Sequence, residues 1–367
     1  MSNNLESPAE AEGGAVAETP QVQPPAAQTS FDPTEPEYPG RLRAPSAPIT
    51  NYPLDDPDRY VMWLWDKLGL YLGEKQREIL RSLVQHKKTL AVGANGTGKS
   101  FGAAAGTVAF LYANTPASVL ATSGTYRKMK RTYADPVERL KNMGWALPGT
   151  FKRRPPRIEM DDRPMVKFEC ASPKDSGELE GLHNAYTLAV IEECDKPAIG
   201  EEEVDAMRSL VTDDRDRILA LANPPEDETN VVADLMDGES DWNVIRFSSW
   251  DAHNVQVQLG EVDGPMLDGV LGVNKIKEDW EEYNPQEWPG IHAARKTQGR
   301  EDLAKRWHIR RLGRIPPSGA SEHRPFYIED VEDAYKNEKG YAEKPMALPI
   351  GLGLDVARAG GDYNAMV

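Results

Sequence analysis

The stretch "GANGTGKS", Gly93 to Ser100, decides how this chain is read. It fits G-x-x-x-x-G-K-[ST], a loop whose glycines let successive backbone N–H groups turn inward around a chain of phosphates. Its flanks fit too. "KKTLAV" before it reads as a short buried strand, and "KSFGAAAGTVAFLYA" after it reads as an alanine-rich helix. A helix that starts at the loop adds the positive end of its dipole to an anion site. Gly93, Ala94, Asn95, Gly96, Thr97, Gly98, Lys99 and Ser100 are therefore expected to cradle a nucleotide. Lys99 should reach the terminal phosphates, and Ser100 should ligate magnesium (Mg²⁺). The cofactors expected are ATP and Mg²⁺.

Further along, strand-like and helix-like runs alternate. "SVLATS" reads as a strand, "TYRKMKRTYADPVERLKNMG" as a helix, and "RIEMDDRPMVKFECAS" as a hairpin turning at 161–164. "AYTLAVIEECD" reads as a strand, "EEEVDAMRSLV" as a helix, and "DRILALANPP" and "WNVIRFSSW" as strands. This alternation predicts an α/β fold with a mostly parallel central sheet and helices on both faces. Before the loop, "RYVMWLWDKLGL" and "EKQREILRSLV" space their apolar residues at three and four, as amphipathic helices do. Residues 275–313 read as helical.

Two acids end the apolar run "TLAVIEECD". Ligands sit at the carboxyl ends of parallel strands. Glu192 is assigned to the metal and Glu193 to polarising the attacking water. Their plainer reading is an acidic helix start. Asn223 in "LALANPP" stands just past the next strand, where an amide can contact the γ-phosphate; by spacing alone it is an ordinary Asn-Pro turn. Gln76 could bond an adenine edge, or simply be a surface glutamine.

Residues 1–50 carry seven acids and two arginines among many Pro, Ala and Gln, and are expected to be a disordered tail. The chain has a formal charge of −16 and a pI near 5.0, which on average disfavours nucleic acid. Basic stretches nevertheless occur at 125–131, 151–157 and 305–314. No apolar run is long enough to cross a bilayer, and the first residues lack the pattern of a signal peptide. Cys170 and Cys194 suggest buried free thiols rather than a disulfide framework. A soluble, intracellular chain is the expectation.

The final stretch, "GLGLDVARAGGDYNAMV", opens like a buried strand ending at Asp355, with Asp362 after a glycine turn. Such a strand often carries a metal-binding acid. Alone it has no sheet to join, so it is expected to fray or to borrow an edge elsewhere.

Taken together, these residues resemble the large terminase subunit, the DNA-packaging motor of tailed viruses. The likeness spans roughly 58–367 and rests on Gln76, "GANGTGKS", "ATSGTYRKMKR", the hairpin with "GELEGLHNAY", "VIEECD", "ALANPP", "SSWDAHNV", "RRLGRIP" and "GLGLDVARAGGD". It implies a P-loop NTPase of the additional-strand, catalytic-glutamate type, followed by a ribonuclease-H-like nuclease of which only the start is present. It implies that Gln76 contacts adenine, that Asn223 lies in the coupling motif, and that Asp355 and Asp362 belong to an incomplete nuclease site.

The domains expected are a 1–50 tail, a 51–273 ATPase core, a 274–325 helical lid or linker, a 326–345 linker and a 346–367 nuclease start. The function implied is ATP-driven translocation of double-stranded DNA into a procapsid, without DNA cleavage by this chain. The partners implied are DNA, a portal protein, a small terminase subunit and further copies in a homo-oligomeric ring, with no membrane. The place implied is the host cytoplasm, docked transiently on the procapsid portal. An ATP-dependent helicase and a nucleotide-gated DNA-binding assembly module are the alternatives. An arginine finger is unassigned among Arg127, Arg131, Arg153, Arg154 and Arg157.

Overall fold

A computed structural model describes residues 56–114, 116–143, 147–160, 166–172, 184–226, 230–237, 240–317, 354–355 and 365–366. The 1–50 tail, the 326–345 linker and Asp362 lie outside the described residues, and so does most of "GELEGLHNAY".

Eight strands form one sheet: β1 (Lys88–Gly93), β2 (Ala117–Ser123), β3 (Thr150–Arg153), β4 (Pro156–Glu159), β5 (Val166–Ala171), β6 (Tyr186–Glu192), β7 (Arg217–Ala222) and β8 (Asn243–Phe247). Their order is β3-β4-β5-β2-β6-β7-β1-β8. The run from β5 to β8 is parallel throughout, and β4 pairs antiparallel with both β3 and β5. The inner strands are apolar almost without interruption, because a parallel sheet is covered on both faces.

One face is covered by α1 (Arg59–Leu68), α2 (Glu74–Gln85) and α3 (Lys99–Ala113). Small residues in α3 let α2 approach closely: a Cβ on Gly106 would stand 2.9 Å from Leu83 Cδ1. The other face packs against the helices Glu201–Ser209 and Val231–Met236 through Val204, Met207, Val232 and Leu235. Asp216, 1% exposed, is satisfied by the backbone: it accepts from the N–H groups of Thr187, Thr212 and Asp213.

A third apolar cluster follows β8. It gathers Trp250, Leu271, Ile276, Trp280, Leu303 and Trp307. Trp280 and Trp307 meet edge to face at 4.9 Å, and Trp250 and Trp307 at 6.1 Å. Helix here is shorter than 275–313 suggests. It is confined to Val273–Tyr283, Ile291–Ala294, Lys305–Trp307 and a π-turn, His308–Leu312. Pro285, Pro289 and Gly290 interrupt it.

β3 is a strand that the reading of "FKRRPPR" as a basic stretch passes over. In the final run the described residues pair with each other and not with the large sheet. Leu354–Asp355 (β9) pairs antiparallel with Ala365–Met366 (β10), so its partner is the chain's own next apolar run.

Candidate functional site

Parallel strands bring their carboxyl ends to one rim of the sheet, and the chemistry collects there. β1 delivers the 93–98 loop, β6 delivers Glu192, β7 delivers Asn223, and β2 ends at Ser123, level with Glu192. β7 lies between β1 and β6, so one strand separates the phosphate loop from the acid pair. Between them opens a cavity of about 410 Å³ lined by 95–101, Thr132, Pro136, Glu192, Glu193, Asp195, 221–223, Asp268 and Gly269.

The loop is wound as an anion site requires. Gly98 has φ 87°, and a Cβ there would stand 2.5 Å from Gln76 Nε2, so only glycine fits. Thr97 Oγ1 donates to Ala94 O at 3.1 Å, closing the turn. Lys99 Nζ donates to Gly93 O at 2.7 Å and Ala94 O at 2.6 Å, which leaves its third proton for a phosphate oxygen. Burial lowers the Lys99 ammonium to about 8, while Glu192 and Asp195 oppose the shift.

Ser100 Oγ donates to Glu192 Oε1 at 2.6 Å. Glu192 Oε2 is buried and without a hydrogen-bond partner among the described residues. Burial pushes the Glu192 carboxyl up to about 7, with Glu193 and Asp195 adding to the rise against the Ser100 bond and Lys99. A hydroxyl and an orphaned buried carboxylate oxygen are the hard oxygen donors that Mg²⁺ prefers. The residues therefore fit the ion that the phosphate loop implies.

Glu193 has φ 55°, the left-handed region that costs a non-glycine residue about 1 kcal/mol or more. This turn puts its side chain on the cavity wall, with Lys128 Nζ 3.2 Å from Oε2. Asp195 was not singled out from sequence, though it stands three residues past Glu192. Its Oδ1 accepts the Asn223 N–H at 3.0 Å, and its Oδ2 holds Lys196 Nζ at 2.6 Å. It thus ties the loop after β6 to the loop after β7.

Gln76 is 3% exposed, and its amide serves the backbone. Oε1 accepts Gly73 N–H at 3.0 Å, and Nε2 donates to Gly98 O at 3.1 Å. Of the candidate arginines, Arg153 pairs with Glu138 and Arg157 with Glu159, and none of the five lines the cavity. Asp355 is placed by its backbone alone, and the described residues contain no cluster of three metal-ligating side chains.

Solved structures similar to this fold are bacteriophage large terminases. The large terminase of a thermophilic bacteriophage is 17% identical, over 52% of this chain and 49% of that one, with a TM-score of 0.40. A variant of the Thermus phage P74-26 large terminase ATPase domain is 15% identical, over 69% and 98%, with a TM-score of 0.46. The HK97 bacteriophage large terminase is 11% identical, over 58% and 47%, with a TM-score of 0.44. The match thus spans about half the length of the thermophilic-phage and HK97 proteins. No family model matches the chain, and no curated protein does. With identities below 20% and TM-scores below 0.5, these likenesses say nothing of substrate or partner.

Proposed function

We propose that this chain is an ATP-hydrolysing motor subunit that moves double-stranded viral DNA into a procapsid. The observation that carries the hydrolase reading is the bond from Ser100, at the end of the phosphate loop, to Glu192, with Glu193 beside it on the cavity wall. The packaging reading rests on the ordered series of motifs in the sequence.

In this reading the loop amides and Lys99 bind the triphosphate, and Ser100 and Glu192 hold Mg²⁺. Held by Ser100 and Glu192, Mg²⁺ would supply positive charge to offset the charge that develops on the phosphates. Glu193 accepts a proton from the attacking water. Asn223, fixed through Asp195, is placed to report the loss of the γ-phosphate to the strand ends. A portal protein, a small terminase subunit and further copies in a ring are the partners proposed, with the procapsid portal in the host cytoplasm as the place of action. Residues 274–325 are proposed as a lid or linker.

ATP turnover by the purified chain, alone and with double-stranded DNA and portal, tests the proposal. Turnover that rises with both supports the motor. Duplex unwinding would replace it with a helicase, and nucleotide binding without turnover would replace it with an assembly module.

A further inference from the structure

The phosphate loop is held from outside as well as from within. Asn95 N–H donates to Arg310 O at 3.2 Å, and Leu271 N–H donates to Gly96 O at 2.9 Å. Arg311 Nη1 donates to Asn95 O at 3.1 Å across 216 residues of sequence. Both peptide groups flanking residue 95, and the next one, are therefore bonded to segments of the tryptophan cluster that follows β8.

Arg311 is itself seated. Its Nε and Nη2 rest on Asp279 Oδ2, and Lys275 Nζ lies 2.8 Å from Asp279 Oδ1. Asp279 is 1% exposed and Arg311 5%. Gly313 completes the approach: its φ is 65°, and a Cβ there would fall 1.9 Å from Phe247 O, the carbonyl that accepts Ala94 N–H at 2.8 Å.

A buried ion pair contributes little net stability, since desolvation cancels most of its Coulomb energy, and apolar residues of like volume often serve as well. An apolar side chain, however, offers no N–H to Asn95 O. A guanidinium does both tasks at once, because its planar fork presents donors in two directions.

We propose that Arg311, seated on Asp279, is a positioning residue for the nucleotide. It holds the 95–96 peptides so that the amides after them face the phosphates. The cluster after β8 then supports the nucleotide site from outside rather than standing as an appendage. This inference rests on the ATP reading above.

Lysine separates the two tasks, since a compact ammonium can pair with Asp279 without also reaching Asn95 O. The expected result for Arg311→Lys is an unfolding midpoint near that of the parent chain and an ATP Kd raised roughly tenfold, a point charge replacing a two-way fork. KM should rise by a larger factor than kcat falls. Leu303→Ala, which hollows the same cluster away from the loop, is the control for destabilisation alone. ATP affinity is measured by displacement of a fluorescent analogue, at a temperature where all chains are folded. Parent-like affinity in Arg311→Lys overturns the proposal, and so does an equal loss in Leu303→Ala. A parent chain that binds no ATP overturns the nucleotide reading itself, and is recognised without any variant.

Discussion

Glu193 accepts a strained backbone where a glycine would sit without cost, and structures keep such strain mainly where function demands it. Glu193→Gln keeps the shape and removes the carboxylate proposed as the base. ATP binding should stay close to that of the parent, while turnover falls about 100-fold or more. Lys99→Ala should instead weaken binding, because it removes the cation at the loop. Equal losses of binding and turnover in both variants would undo the roles assigned. Cys170 and Cys194 are buried free thiols, and burial pushes Cys194 up to about 12 and Cys170 higher still. The folded chain should therefore resist a thiol-titrating disulfide reagent and react fully only in denaturant; fast reaction when folded would contradict the burial. Local spacing singles out Lys99, Ser100, Glu192 and Glu193, and the structure brings the four to one cavity. Asp195 and the Lys128–Glu193 pair are not marked in that way, because their meaning lies in contacts between strand ends that are far apart in the chain.

The inner strands announce themselves as apolar runs, since both of their faces are covered. β3, four residues of mostly exposed edge, has no such pattern and looks like a charge run. The segment after β8 misleads in the opposite direction. Its apolar spacing suggests continuous helix, but its prolines divide it, and tryptophan contacts rather than helix length hold it together. His308 belongs to that core. It is 1% exposed, its Nε2 bonds to Arg300 O at 2.9 Å, and burial lowers its pKa, with the Arg300 bond and Asp302 opposing. A depressed folded value means full stability above the ordinary value near 6.5, lost as pH falls through the lowered one. The parent chain should therefore lose more thermal stability between pH 7.5 and pH 5 than His308→Gln does. Parallel losses in the two chains would place the acid-sensitive group elsewhere.

At the scale of the molecule, a formal charge of −16 has to be reconciled with the DNA partner proposed above, and the reconciliation offered is spatial. The 305–314 stretch is largely spoken for: Arg311 is buried on Asp279, and Arg310 bonds to the Tyr283 hydroxyl at 3.1 Å. Lys128, in the 125–131 stretch, faces Glu193, so changing it would disturb the ATP site as well. Exposed arginines remain in the other two stretches. Arg127 and Arg131 are exposed on the helical segment after β2, and Arg154 stands in the exposed turn that joins β3 to β4. Exposed cations attract a phosphate backbone whatever the mean charge of the chain, because salt screens distant acids within about 10 Å. Replacing Arg127, Arg131 and Arg154 together by glutamine should weaken binding to duplexes of any sequence. It should also flatten the plot of log affinity against log salt by up to about 3, since each lost phosphate contact removes about 0.9 from the slope. ATP turnover without DNA should change far less than DNA affinity, since none of the three lines the nucleotide cavity. An unchanged salt slope would move the DNA path to another face.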